Sequence, residues 1–128
     1  MAALTLRAAG RADPDTVWRR YTSYRQWPVW SPQIVRVDAP GERVLPGARG
    51  TVRSYLGVSA AFLVESVDHE RRDWSWRVRL GPVRMRLAHE VRPYGDGTET
   101  RLRMAGPALA LAAYAPVARL ALRRLLTP

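Results

Sequence analysis

Two side chains in this sequence have the chemistry to move a proton in an apolar environment, His89 and Tyr114. His89 lies in a stretch of alternating apolar and charged residues, on the apolar side with Met85 and Leu87. Removal from water lowers the pKa of a histidine and favours the neutral imidazole, which can serve as a general base or hydrogen-bond partner. Tyr114 is the sole aromatic residue of an alanine-rich C-terminal segment and could bring its hydroxyl to the same place. The alternative for His89 is a core histidine bonded to a backbone or side-chain group.

The sequence offers few other groups for catalysis or metal binding. It has no cysteine and two histidines, of which His69 falls in a polar turn and His89 in the middle of a strand. Residues so placed do not converge on one ion, so we expect no metal and no other cofactor. No Ser-His-Asp arrangement or phosphate-binding glycine loop is visible. The absence of cysteine also excludes a disulfide scaffold and thiol catalysis.

The element that positions His89 is a hairpin between Asp73 and Arg92. Trp74 and Trp76 share the apolar side of its first strand, while arginines take the opposite side of both strands. A period of two predicts an antiparallel hairpin with one apolar, aromatic face and one solvated face. The two indoles either pave a pocket for a ring-shaped or acyl ligand or fill the space themselves.

A C-terminal helix is predicted to cover this apolar face, because a one-faced sheet must be buried against another element. The segment Ala108–Leu126 is long and apolar enough to do so, and Pro116 should kink it. Its many alanines either let the helix pack close to the sheet or leave room for a ligand. A sheet closed in this way can enclose a pocket.

Neighbouring strands supply the rest of the candidate pocket. Ser54 and Leu56 take the inward side of a strand predicted over Thr51–Val58, and Thr100 and Leu102 do so on Thr98–Ala105. Such an apolar wall with isolated polar points is typical of a small-molecule site. The predicted ligand-binding residues are Ser54, Leu56, Trp74, Trp76, Met85, Leu87, His89, Thr100, Leu102 and Tyr114.

The chain of 128 residues reads as one domain, residues 1–128, long enough for a single core. A short strand at Ala2–Ala8 precedes a helix in which Asp13 suits the N-cap and Pro14 the first helical position. A second short helix or turn spans Ser23–Pro32. The other strands are predicted at Ile34–Asp38, Thr51–Val58, Ala60–Asp68 and Thr98–Ala105, and the pattern of Ala60–Asp68 allows a bulge near Ser66.

The net charge is +10 and the isoelectric point about 11.4, which raises the question of a nucleic-acid partner. Every basic residue is arginine, and the arginines are spread along most strands rather than clustered. This pattern favours codon bias of a GC-rich genome and argues against nucleic-acid binding. A basic surface that contacts RNA, a ribosome or acidic lipid is the alternative.

No targeting or membrane segment is evident in the sequence. Arg7 and Arg11 interrupt the short apolar start, and no signal-peptide core follows. The apolar stretch Ala108–Ala118 is about half of the roughly 20 residues that a bilayer span needs, and Pro116 interrupts it. We therefore expect a soluble, cytoplasmic protein without a transmembrane segment.

Several local motifs, taken in order along nearly the whole chain, resemble the START-like superfamily, also called SRPBCC, and in particular its bacterial polyketide cyclase/dehydrase branch. They are Asp13–Trp18, Trp27–Pro32, Leu45–Gly50, Val64–Asp68, Trp74–Trp76 and Pro93–Thr98. The resemblance implies an α+β, helix-grip fold: a curved seven-stranded antiparallel sheet wrapped around a long C-terminal helix, with two short helices between strands 1 and 2. It also implies a hydrophobic cavity between sheet and helix.

Three functions remain open from the sequence. The preferred hypothesis is binding of a hydrophobic small molecule, such as a lipid, a polyketide or a related aromatic or acyl ligand, by a monomer or homodimer. The second is a polyketide cyclase, aromatase or dehydratase that uses the same cavity, with His89 and Tyr114 as acid/base groups. The third is a basic interaction module that contacts a ribosome, RNA or membrane. Fold does not decide among them.

Overall fold

The computed structural model describes residues 2–128, which form a seven-stranded antiparallel sheet and a long C-terminal helix. The strands are β1 (Ala2–Gly10), β2 (Arg36–Asp38), β3 (Arg49–Arg53), β4 (Ser59–Asp68), β5 (Asp73–Leu80), β6 (Val83–Tyr94) and β7 (Gly97–Gly106). The helices are α1 (Pro14–Thr22), α2 (Trp27–Trp30) and α3 (Ala108–Leu125), with 3₁₀ turns at Tyr24–Gln26 and Tyr55–Gly57. The spatial order is β1-β7-β6-β5-β4-β3-β2. The predicted helix-grip architecture is confirmed.

Helix α1 begins where the sequence predicts. The Asp13 side chain accepts a hydrogen bond from the Thr16 backbone N–H at 2.9 Å, and Pro14 opens the first turn. Both features satisfy or remove backbone donors that a helix start leaves free. The buried face of α1 carries Val17 and Tyr21 toward the sheet.

The hairpin of β5 and β6 pairs in the register that its alternation predicts. Trp74 lies opposite His89, and Trp76 lies opposite Leu87. All four side chains are buried, while Arg77, Arg79, Arg84 and Arg86 on the alternate positions of the same hairpin are exposed. A bulge at Glu65 shifts the pairing of β4 with β5 between Val64 and Ser66, in the place where the sequence pattern allows one. The extra residue lets the apolar alternation of β4 resume on the covered face.

Helix α3 lies close to the rest of the protein at its C-terminal end. The Arg20 guanidinium donates hydrogen bonds to the carbonyls of Leu125, at 2.7 Å, and Thr127, at 2.6 Å. A Cβ at Gly10 would lie 2.6 Å from the Cβ of Leu126, so only glycine allows β1 to approach the helix end so closely. The buried residues of this half are Ala118, Ala121, Leu122 and Leu125. These contacts fix the C-terminal end of α3, and in its N-terminal half Leu111 is the buried residue.

The strand predicted over Thr51–Val58 is wrong in its second half, because β3 ends at Arg53. Leu56 and Gly57 both have left-handed backbone conformations, with φ of 60° and 74°, which an extended strand cannot accommodate. The chain instead turns through Tyr55–Gly57 before β4 begins at Ser59. Strand β2 is also shorter than the predicted Ile34–Asp38.

No helix within residues 2–128 combines the length and apolar character needed to cross a membrane.

Candidate ligand-binding site

A cavity of about 370 Å³ lies between the sheet and the N-terminal half of α3. Its floor comes from β3 to β6 and its cover from α3, with one side closed by the segment before β2. The lining residues are Gln33, Ile34, Val52, Ser54, Val58, Ser59, Ala60, Trp76, Val78, Leu80, Val83, Met85, Leu87, Ala110, Ala113 and Tyr114. This volume falls within the range of roughly 300–1,000 Å³ that is usual for small-molecule sites.

The wall of this cavity is apolar and uncharged. Among the described residues that line it, none is acidic, arginine or histidine, and the polar side chains are those of Gln33, Ser54, Ser59 and Tyr114, together with the Trp76 indole N–H. Aliphatic and methionine side chains supply most of the lining residues. Such a wall favours an uncharged ligand, because an unpaired charge placed there would lose its hydration.

A second, smaller void of about 40 Å³ lies deeper, among the aromatic side chains. It has room for water but not for a drug-sized ligand. The residues that line both spaces are Gln33, Ile34, Trp76, Leu87 and Tyr114. These shared residues therefore form the boundary between the large cavity and the small void.

The predicted site residues divide between these two spaces. Five of them line the large cavity: Ser54, Trp76, Met85, Leu87 and Tyr114. The others that line the small void are Trp74, His89 and Leu102. Strand alternation places the residues of β5, β6 and β7 on the covered face, but only part of that face borders open space.

Two predicted positions need correction. Leu56 was expected on the inward side of a strand, but its side chain is fully exposed, at 100%, because the left-handed turn points it away. Thr100 is buried but borders neither space. It donates to the Glu90 carbonyl at 2.8 Å, and its oxygen lies 3.1 Å from the Tyr21 hydroxyl, which therefore donates to it. Its polar group is thus satisfied within the core.

His89 is enclosed by aromatic side chains. Its ring stacks on that of Trp74, with 4.0 Å between the ring centroids and 5° between the planes, and the Tyr21 ring meets it edge-on at 5.2 Å. Nδ1 lies 3.1 Å from the Trp74 carbonyl oxygen, so Nδ1 carries the proton and donates it there. Burial lowers the pKa of His89 from 6.5 to about 3, with the carbonyl bond opposing the shift. His89 is therefore neutral at physiological pH.

Tyr114 is paired with Gln33, a residue that the sequence-based site did not include. The Gln33 Nε2 donates to the Tyr114 hydroxyl oxygen at 2.9 Å. Burial raises the pKa of Tyr114, and this hydrogen bond opposes the rise. The Ser54 hydroxyl in turn donates to the Gln33 backbone carbonyl and fixes the segment. The one sequence signal was an amide side chain between the apolar residues Pro32 and Ile34.

Some polar atoms at these spaces are buried without a partner among residues 2–128. They are the Oε1 of Gln33 and the indole Nε1 atoms of Trp74 and Trp76. Other indoles are satisfied: Trp27 donates to the Tyr21 carbonyl at 2.8 Å, and Trp30 donates to the Arg20 carbonyl at 3.0 Å. The Tyr24 hydroxyl, in the core away from both spaces, is likewise buried without a partner among these residues, so unpaired atoms are not confined to the boundary and the void.

The arginines of β5 and β6 lie on the opposite, exposed face of the sheet. Glu65 forms ion pairs with Arg77 at 2.9 Å and Arg86 at 2.8 Å. Arg79 and Arg84 are directly opposite each other. Charge is therefore kept off the covered face, where the cavity lies.

The second histidine, His69, is exposed and lies away from the cavity. The Trp18 indole donates to its Nδ1 at 3.1 Å.

Comparison with known proteins extends these observations. The family described as polyketide cyclase / dehydrase and lipid transport matches residues 1–127. No curated protein sequence is significantly similar to the chain.

Solved structures with a similar fold come from bacteria and plants. Protein MLL2253 from Mesorhizobium loti has a TM-score of 0.83 and 16% identity, covering 97% of this chain and 93% of its own. The di-domain ARO/CYC BexL from the BE-7585A biosynthetic pathway has a TM-score of 0.81 and 20% identity, covering 98% of this chain and 45% of its own. The major latex-like protein 151 of Panax ginseng has a TM-score of 0.78 and 14% identity, covering 97% of this chain and 94% of its own. At these identities the likeness concerns the fold alone.

Proposed function

The chain belongs to the family described as polyketide cyclase / dehydrase and lipid transport, and we propose that it binds a hydrophobic small molecule between the sheet and α3. The large apolar cavity is the observation that carries this proposal. Its volume of about 370 Å³ is larger than packing defects in a well-filled core, where voids rarely exceed a water molecule.

The position of the cavity supports access for a ligand. Val58 and Leu80 line it and remain partly exposed, at 45% each. In α3, Leu109 directly precedes Ala110, which lines the cavity, and Leu109 is 87% exposed. Apolar side chains thus continue from the cavity wall to the protein surface, between the β3–β4 turn, the β5–β6 turn and the start of α3.

An enzyme of the cyclase, aromatase or dehydratase type is the alternative, and the site chemistry supports it less. His89 lines the small void rather than the large cavity, and a base whose pKa is lowered to about 3 accepts a proton weakly at neutral pH. Burial raises the pKa of Tyr114, which makes its hydroxyl a weaker acid. An acid/base enzyme should lose about 10²–10⁴-fold in rate in His89→Phe, whereas a carrier should keep most of its affinity for an apolar ligand.

Native mass spectrometry of the protein purified from its own host tests the proposal. We expect a mass above that of the polypeptide that is lost on denaturation, and an extractable apolar compound. A parallel titration with the neutral fluorophore N-phenyl-1-naphthylamine should give saturable binding. Absence of both a retained compound and saturable fluorophore binding would reject the proposed function.

A further inference from the structure

The boundary between the large cavity and the small void carries an unsatisfied donor and an unsatisfied acceptor. The Trp76 indole N–H is a donor and the Gln33 Oε1 an acceptor, and both are buried without a partner among residues 2–128. Trp76 is only 9% exposed. A buried polar group without a hydrogen bond destabilises the protein, so a ligand that pairs with these atoms gains more than contact with an apolar wall provides.

The hydrogen bond between Gln33 and Tyr114 decides which polar atom of each side chain is left to donate or to accept. Because the Gln33 Nε2 donates to the Tyr114 oxygen at 2.9 Å, the phenolic proton of Tyr114 is free to be donated elsewhere. Gln33 then presents its Oε1 as an acceptor. The boundary therefore carries two unused donors, on Tyr114 and Trp76, and one unused acceptor, on Gln33. The Trp76 and Gln33 atoms are covered in this structure, so a ligand reaches them only when these side chains shift as it binds.

A ligand hydroxyl matches this set, and we propose that the ligand is a neutral alcohol or phenol whose hydroxyl is held by Gln33, Tyr114 and Trp76, with its apolar body in the large cavity. This inference rests on the proposed function. A hydroxyl donates one hydrogen bond and accepts up to two, so one group pairs with an amide oxygen and with neighbouring N–H and O–H donors. A carbonyl oxygen would leave Gln33 Oε1 unpaired.

Charged ligands do not fit the same place. A carboxylate would be buried without a cation, since no arginine is among the described residues lining either space, and it would face the Gln33 oxygen. An ammonium group would likewise lack a carboxylate partner there. His89 supplies no charge, because burial lowers its pKa to about 3. The site therefore distinguishes neutral hydroxyl compounds from fatty-acid-like anions.

Three probes of nearly equal shape test this inference by calorimetric titration at pH 7.5: 2-naphthol, 2-methylnaphthalene and 2-naphthoate. We expect the wild-type protein to bind 2-naphthol on the order of tenfold more tightly than 2-methylnaphthalene, as one or two buried hydrogen bonds would give. We expect 2-naphthoate to bind most weakly of the three. Nearly equal affinity for the two neutral probes, or tightest binding of 2-naphthoate, would overturn the inference while leaving the proposed function standing.

Variants identify the residues responsible. Gln33→Leu and Tyr114→Phe should each reduce the preference for 2-naphthol over 2-methylnaphthalene several-fold, with the affinity for 2-methylnaphthalene nearly unchanged. Tyr94→Phe is the matched control, since Tyr94 is 60% exposed at the end of β6, and it should keep the wild-type preference. If Gln33→Leu fails to fold, Tyr114→Phe alone decides the question. Equal weakening of both neutral probes in the folded variants would assign the pair to packing and reject the inference. Failure of all probes to bind the wild-type protein would reject the proposed function as well.

Discussion

His89 and Trp74 are directly opposite each other on β6 and β5, and their rings stack in parallel at 4.0 Å while the imidazole donates to the Trp74 carbonyl. One cross-strand pair thus fixes the ring plane, the tautomer and the neutral state of the histidine. Stacking and the hydrogen bond both require the imidazole to stay in this position. This geometry gives His89 a role in stability whatever the ligand is.

Acidification should destabilise the protein through His89. Its pKa falls from 6.5 to about 3 on folding, so between these values the unfolded chain binds the proton and the folded protein does not. The free energy of unfolding is therefore not lowered by His89 above about pH 6.5, and it decreases as the pH falls from there toward 3. We expect the free energy of unfolding to drop by about 2 kcal/mol between pH 7 and pH 5 from this residue.

Urea denaturation of wild type and His89→Phe at both pH values measures this contribution. The variant should be less stable at pH 7, because the Trp74 carbonyl loses its donor, but its stability should depend less steeply on pH. Val17→Ala, which creates a small defect in the core but removes no titratable group, is the control and should keep the wild-type pH dependence. Identical pH dependence in wild type and His89→Phe would contradict the prediction.

Two alanines of α3 should respond differently to enlargement. Ala110 lines the large cavity, so Ala110→Phe should fill ligand space, weaken N-phenyl-1-naphthylamine binding at least tenfold and leave the melting temperature nearly unchanged. Ala118 is 2% exposed beside a void of about 40 Å³, which cannot hold a phenyl ring. Ala118→Phe should therefore overpack the core and cost about 1–3 kcal/mol. Undiminished binding by folded Ala110→Phe would argue that the cavity is not the binding site.

The close approach of Gly97 to Gly10 should make Gly97 intolerant of any side chain. A Cβ at Gly97 would lie 1.9 Å from the Gly10 carbonyl oxygen, so Gly97→Ala must push β1 away from β7. We expect a loss of about 3 kcal/mol in denaturant unfolding. Gly95, in the same turn, has a φ of 57° and open space around it, so Gly95→Asn should cost less than about 1 kcal/mol. Similar stabilities for the two variants would contradict this packing argument.

The exposed arginines should give only weak, salt-sensitive nucleic-acid binding. Arg77 and Arg86 already pair with Glu65, and Arg101 pairs with Glu99 at 3.3 Å, so the positive face is partly neutralised. Fluorescence anisotropy with duplex DNA and single-stranded RNA should show binding that disappears near physiological salt, with a log–log slope of about −0.9 per phosphate contact on DNA. Submicromolar binding that persists at about 0.15 M salt would favour the interaction-module hypothesis instead.

Local sequence determined the faces of the β5–β6 hairpin, the start of α1 and the extent of α3. A strand repeats every two residues, so Trp74, Trp76 and His89 had to share one face once the register was fixed. The start of helix α1 could be predicted from two residues alone, the N-cap Asp13 and Pro14 in the first turn. Leu56 escaped this reasoning, because an apolar alternation continues through a segment whose backbone turns left-handed.

Only the tertiary structure decided which part of the covered face borders open space. The Arg20 hydrogen bonds and the close approach of Gly10 hold the C-terminal end of α3 against α1 and β1, and the space opens under its other half. Gln33 and Tyr114 are 81 positions apart in the chain, so no local pattern could predict their hydrogen bond. Periodicity determines which way a side chain points, because it is a property of the backbone. Whether that side chain meets another residue or a void depends on the tilt of elements distant in sequence, which packing of the whole chain sets.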